Sequence, residues 1–161
     1  AVPGLRGSEA TRALALVTLL GTVSDEGGMV VGEAMRLVDA GEPGGAVDLV
    51  ERRVPELPAE DRPAMLTFAA ELADRGQLRD DARRVRRHLL DTYPRSEAAP
   101  EALLALARGL RGEGDGALEA RELLERLIME YPRSALVPQA RRELQQMTRG
   151  NAGDVEKRGS G

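Results

Sequence analysis

The chain has no cysteine and no tryptophan, one histidine, one lysine and only three aromatic residues, Phe68, Tyr93 and Tyr131. Each shortage excludes something. Without cysteine there is no disulfide and no thiolate metal site, and the redox compartment stays open. With so few aromatics the core has to be built from Leu, Val and Ala, which suits closely packed helices and suits a sheet poorly. A formal net charge of -4, from 23 basic and 27 acidic residues, argues against a general nucleic-acid binder, whose phosphate contacts need a basic excess. Long apolar runs are missing too. The longest, Ala13 to Leu20, falls far short of the roughly 20 residues of a membrane helix. Arg6 and Arg12 precede that run in faint imitation of a signal peptide, but Glu9 interrupts them and no small-residue cleavage site comes after it, so a buried amphipathic helix is expected there. The chain begins at Ala1 rather than Met, as a processed form or a fragment does.

What is present is a repetition. Tyr93-Pro94-Arg95-Ser96 recurs as Tyr131-Pro132-Arg133-Ser134, an interval of 38 residues. At the same interval Gly76 matches Gly114, Ala82 matches Ala120, Arg83 matches Arg121, Leu89 matches Leu127 and Pro100 matches Pro138. A period in this range belongs to stacked helical hairpins, each of which cannot bury its apolar stripe alone. The expected fold is therefore all-α, a solenoid of helical-hairpin repeats.

Apolar spacing, with glycine and proline punctuation, sets the expected organisation. Residues 1–7 read as a flexible lead-in and 8–24 as an N-terminal helix capped by Ser8, ended by Ser24-Asp25-Glu26-Gly27-Gly28. Residues 29–60 form a divergent first repeat, with a turn at Glu42-Pro43-Gly44-Gly45. Repeat 2 covers 61–97 with a turn at Gly76. Repeat 3 covers 98–135 with a turn at Gly112 to Gly116. Residues 136–148 form a C-terminal capping helix, and 149–161 a flexible tail. Ala69, Ala107, Ala82 and Ala120 are small where helices must approach closely. Pro94 and Pro132 end the second helices, and Ser96 and Ser134 are placed to cap the next helix in each case.

This pattern resembles the tetratricopeptide repeat family over residues 29 to 148. Met65, Phe68, Ala69, Leu72, Ala82, Leu89 and Pro94 stand at that family's signature positions, as do Leu103, Leu106, Ala107, Leu110, Ala120, Leu124, Leu127 and Pro132. The chain departs from the pattern with an extra turn residue in each of these two copies, with Arg86 at a usually apolar position and with Glu33 at a usual core position. The Tyr-Pro-x-Ser junction together with Ala99 to Ala102 is most similar to bacterial cell-envelope members, of the outer-membrane assembly lipoprotein and Tol–Pal coordinator type. The resemblance implies a right-handed superhelix and a non-catalytic protein–protein interaction module or scaffold subunit. It also implies a periplasmic or cell-envelope assembly.

Candidate chemistry is sparse. Arg83-Arg84-Val85-Arg86-Arg87-His88 could meet a nucleic acid or an acidic partner, but Asp80, Asp81 and Asp91 offset it, and it reads as a solvated helix face. His88, alone, makes a poor metal site and reads as a surface residue. Gly112 to Gly116 lacks the lysine and the preceding strand of a phosphate loop. No catalytic, metal-binding or cofactor-binding residue is expected, and no cofactor. The partner expected from the resemblance is an extended peptide or helix of another protein, lying in a concave face lined by the first helix of each pair. By helical phase that face holds Val31, Met35, Leu66, Ala70, Leu104, Arg108, Arg111, Arg142 and Gln146, grading from apolar to basic. The alternatives are a regulatory segment of a larger enzyme, or a nucleic-acid-associated adaptor using the 83–88 arginine run.

Overall fold

The structure, a computed structural model, describes the backbone of residues 3–111 and 116–158, and the side chains of these residues except 3–9, Arg12 and 150–158. Among the described residues it is all-α, with no strand. The expected turn at Gly112 to Gly116 lies outside the described residues except for Gly116. Two compact units divide the chain, Ala1–Val85 and Arg86–Gly161.

The first unit begins with α1 (Pro3–Thr22) and α2 (Asp25–Asp39). Ser8 lies inside α1 instead of capping it, because Pro3, with its fixed φ and no amide to satisfy, already opens the helix. The expected break at 24–28 is shorter and earlier, just Val23 and Ser24. Ser24 is the N-cap of α2, its Oγ accepting from the Gly27 amide at 3.2 Å, and Asp25 and Glu26 place negative charge on the first turn. Gly27 and Gly28 are therefore helical despite their poor propensity.

Behind Ser24 stands Asp61, which is 2% exposed and the one buried charged residue among those described. One of its oxygens, Oδ2, accepts from the Ser24 amide at 3.0 Å and from the Ser24 hydroxyl. A carboxylate thus fastens the start of α2 from 37 residues downstream. The cap works in relay, since the Ser24 hydroxyl donates to Asp61 while accepting from Gly27.

Helix α3 (Pro43–Arg53) packs on α2 and on α4 (Arg62–Arg75), with a short 3-10 turn (Val54–Glu56) between α3 and α4. Gly41, at φ +81°, closes α2, with the Glu42 amide donating back to Leu37 O at 2.9 Å. The turn after α4 differs from expectation. Its left-handed residue is Gln77, at φ 58°, while Gly76 has an ordinary backbone. Gly76 is needed for space: a Cβ there would sit 2.9 Å from Pro43 Cβ. The core of this unit is Val30, Val31, Ala34, Val47, Val50, Met65, Leu66, Ala69 and Leu72, all essentially sealed from water.

The division between units falls inside α5 (Arg79–Thr92). In the second unit α6 (Ala99–Leu110) packs on α7 (Gly116–Glu130), and α7 on α8 (Val137–Arg158). Leu103, Leu106, Ala107, Leu110, Ala120, Leu124, Leu127 and Ala140 are buried. The two Tyr-Pro-Arg-Ser junctions carry the same backbone bonds 38 residues apart. Tyr93 donates to Leu89, Ser96 to Tyr93 and Ala99 to Ser96; Tyr131 donates to Leu127, Ser134 to Tyr131 and Val137 to Ser134. This turn sets the serine three residues ahead of the helix, too early to cap its second or third amide. Ala98 holds the N-cap position of α6 with no side-chain bond; among the described residues Ser96 Oγ is buried without a partner, and Ser134 Oγ accepts from the Leu136 amide. The Tyr131 hydroxyl reaches across to donate to Pro94 O, tying one junction to the other. At the chain's end α8 continues to Arg158, through most of the segment expected as a tail. Glu, Lys, Arg and Ala there are good helix formers, and glycines at 150 and 153 each cost only about 1 kcal/mol.

Candidate functional site

The residues expected to line a binding face separate by burial. Val31, Leu66 and Ala70 in the first unit are 3% exposed or less, so they are core and offer no surface, whereas Leu104 in the second, though 4% exposed, lines the floor of a hollow between α6 and α8. Met35 is half-buried. Helical phase alone does not separate groove from core here: in α4, Met65, Leu66, Phe68, Ala69 and Ala70 are all buried, and the side left to water carries Glu71, Asp74 and Arg75. The polar members, Arg108, Arg111, Arg142 and Gln146, are exposed, and the second unit brings all four together.

They meet where α6 and α8 approach one another, Arg108 facing Glu143 and Arg111 facing Gln146, in each case 35 residues further along. Arg108 places Nε at 2.9 Å and Nη2 at 2.6 Å from the same oxygen of Glu143. Arg111 Nη1 lies 4.0 Å from the other Glu143 oxygen, and its Nη2 donates to Gln146 Oε1 at 3.2 Å. The Glu143 side chain is only 12% exposed, so one sheltered carboxylate orients two guanidinium groups. Arg142 makes no ion pair among the described residues. With Gln139 these side chains surround an open cavity of about 350 Å³ holding three arginines against one glutamate.

A second hollow, of about 460 Å³, continues from it. Arg108 and Gln139 belong to both, and Glu97, Pro100, Glu101, Leu104, Ala105, Ser134 and Leu136 line the remainder. The α6–α8 groove is therefore basic at one end, apolar in the middle and acidic at the other. Residue-by-residue phase does not single out Glu143 and Gln139 as site residues. Their signal is the 35-residue interval, which pairs Arg108 with Glu143 and Arg111 with Gln146, while Gln139 lines the second hollow along with Leu104.

The arginine run of α5 is largely spoken for within each unit. Arg84 pairs with Glu51, with Asp81 at 2.7 Å and with Asp48 at 3.8 Å, and the hydrogen bond it donates to Asp81 leads the causes that raise its pKa above the ordinary value. Arg87 donates to both oxygens of Glu119, at 2.7 and 3.0 Å. His88, expected at the surface, is half-buried. Among the described residues no group of three or more His, Asp or Glu side chains converges in a way that could hold a metal ion, and no helix is long and apolar enough to cross a membrane.

No family model matches the chain, and no curated protein matches it significantly.

Proposed function

We propose that this chain is a non-catalytic protein–protein interaction module of tetratricopeptide type, its helical hairpins stacked as a solenoid, and that the α6–α8 groove receives an extended segment of another protein bearing a carboxylate. The observation that carries this reading is the gathering of Arg108, Arg111 and Arg142 around the single carboxylate of Glu143. A guanidinium presents a planar fork that matches a carboxylate in two parallel bonds, and here two of the forks are already oriented before any ligand arrives. Arg142, uncommitted, supplies the excess charge. Ala105 and Leu136 give an apolar neighbour on the segment something to pack against. The setting that accompanies this reading is a bacterial cell-envelope assembly, on the resemblance of the Tyr-Pro-Arg-Ser junctions.

Its test is fluorescence polarisation with a labelled peptide of alternating leucine and glutamate, beside a lysine counterpart of the same length. The glutamate peptide binds and the lysine peptide does not. Arg142→Glu, which breaks no internal ion pair, weakens binding about tenfold, as does raising the salt. Equal binding of the two peptides, or indifference to Arg142→Glu, removes the proposal.

A further inference from the structure

The α6–α8 groove carries opposite charge at its two ends, and neither end is neutralised from within. At one end Arg108, Arg111 and Arg142 outnumber the single carboxylate of Glu143. At the other, Glu97 and Glu101 line the second hollow, both exposed, and among the described residues neither takes part in an ion pair or a side-chain hydrogen bond. The arginine that reaches that hollow, Arg108, is already committed to Glu143. Other carboxylates of this unit find an arginine close by: Glu119 pairs with Arg87, Glu125 with Arg121 and Glu130 with Arg126. Glu97 and Glu101 are left facing the groove. A segment bearing only acidic side chains would satisfy the arginines and meet like charge at the far end, and a basic segment would do the reverse.

We propose, on the reading that this groove is the binding face, that the segment it selects is itself dipolar, with an acidic, an apolar and a basic side chain at alternate positions. The spacing follows from the helix. Glu101 lies seven positions before Arg108 and ten before Arg111, roughly 10 to 15 Å along α6 at about 1.5 Å per residue. Four residues of extended chain reach roughly 13 Å, and residues i, i+2 and i+4 of such a chain point the same way. The acid at i then meets Arg108, Arg111 and Arg142, and the base at i+4 meets Glu97 and Glu101. The apolar residue at i+2 rests on Ala105 and Leu136, with Leu104 beneath them. These are exposed charges in water, so each correct pair adds only a few-fold in affinity, and repulsion of the wrong charge contributes as much as attraction of the right one.

The test is fluorescence polarisation on the whole chain with three labelled peptides of one length. The first carries glutamate, leucine and lysine at alternate positions with serine between them. The second has glutamate in place of the lysine, and the third has the composition of the first with lysine next to glutamate. The wild type binds the first about fivefold more tightly than either of the others. The double substitution Glu97→Lys and Glu101→Lys, at two exposed positions, keeps the helical circular dichroism and reverses the order, so that the second peptide binds more tightly than the first. Equal binding of the first and second peptides by the wild type overturns the dipolar selection, as does a preference unchanged by the double substitution. Either result leaves in place the binding of an acidic segment, which Arg142→Glu tests separately. Failure of every peptide to bind overturns both.

Discussion

Tyr131 shows how much one side chain of a repeated motif can hold. It belongs to the second copy of Tyr-Pro-Arg-Ser, and its hydroxyl donates to the carbonyl of Pro94 in the first. A proline carbonyl at a helix exit has no intrahelical partner, so the bond satisfies a group that would otherwise depend on water. Tyr131→Phe should cost about 0.5–1.5 kcal/mol in urea unfolding, the usual net worth of such a bond. The same residue gives a pH dependence of definite sign. Burial, as the largest cause, raises its pKa above the ordinary value. A group with a raised folded-state pKa adds stability that is complete below the unfolded value and is lost as pH rises through the folded one. The wild type should therefore lose stability relative to Tyr131→Phe as pH climbs past about 10, where the phenol gives up the proton it donates. Parallel stability curves for the two proteins across that range would contradict the assignment.

At the scale of the element, the start of α2 separates what sequence can disclose from what it cannot. Ser24 is visible as a breaker, yet its function as a cap depends on Asp61, a residue far downstream that packing alone brings to it. Local propensity makes Gly27 and Gly28 the end of structure, and the relay from Asp61 through Ser24 outweighs it. The two glycines at positions 27 and 32 of this helix then predict opposite outcomes. A Cβ on Gly27 would stand 3.0 Å from Asp61 Oδ2 and 3.0 Å from Val23 Cβ, in the most crowded part of the cap, whereas one on Gly32 would meet nothing within 4 Å. Gly32→Ala should stabilise the protein by about 0.5–1 kcal/mol through helix propensity. Gly27→Ala should destabilise it by about 1 kcal/mol or more, because crowding exceeds that gain. Thermal melts of the two variants moving in the same direction would show that Asp61 does not hold this junction tightly.

For the molecule as a whole, the legible part is whatever repeats. The 38-residue interval between the Tyr-Pro-Arg-Ser copies reappears as matching backbone bonds, and the aliphatic and alanine positions named from helical spacing are the core. The groove is half legible. Arg108, Arg111, Arg142 and Gln146 can be placed on one face because charge is tolerated only outside, but Val31, Leu66, Ala70 and Leu104 cannot be told from core by phase, since an apolar residue at a helix edge serves either purpose. The free face of α1 reads as buried for the same reason, and the structure leaves Leu14, Val17 and Leu20 in water. The closest helix packings share one property, which governs folding kinetics. Helices pack on their neighbours in sequence: α2 on α3, α3 on α4, α6 on α7 and α7 on α8. Closing such short loops costs little entropy, and helical proteins rich in local contacts fold in microseconds to milliseconds. Refolding followed by far-ultraviolet circular dichroism, at low protein concentration, should therefore be complete within milliseconds. A dominant phase of seconds that remains when concentration is lowered would mean that the rate-limiting contacts are distant in sequence, contrary to the neighbour-on-neighbour packing.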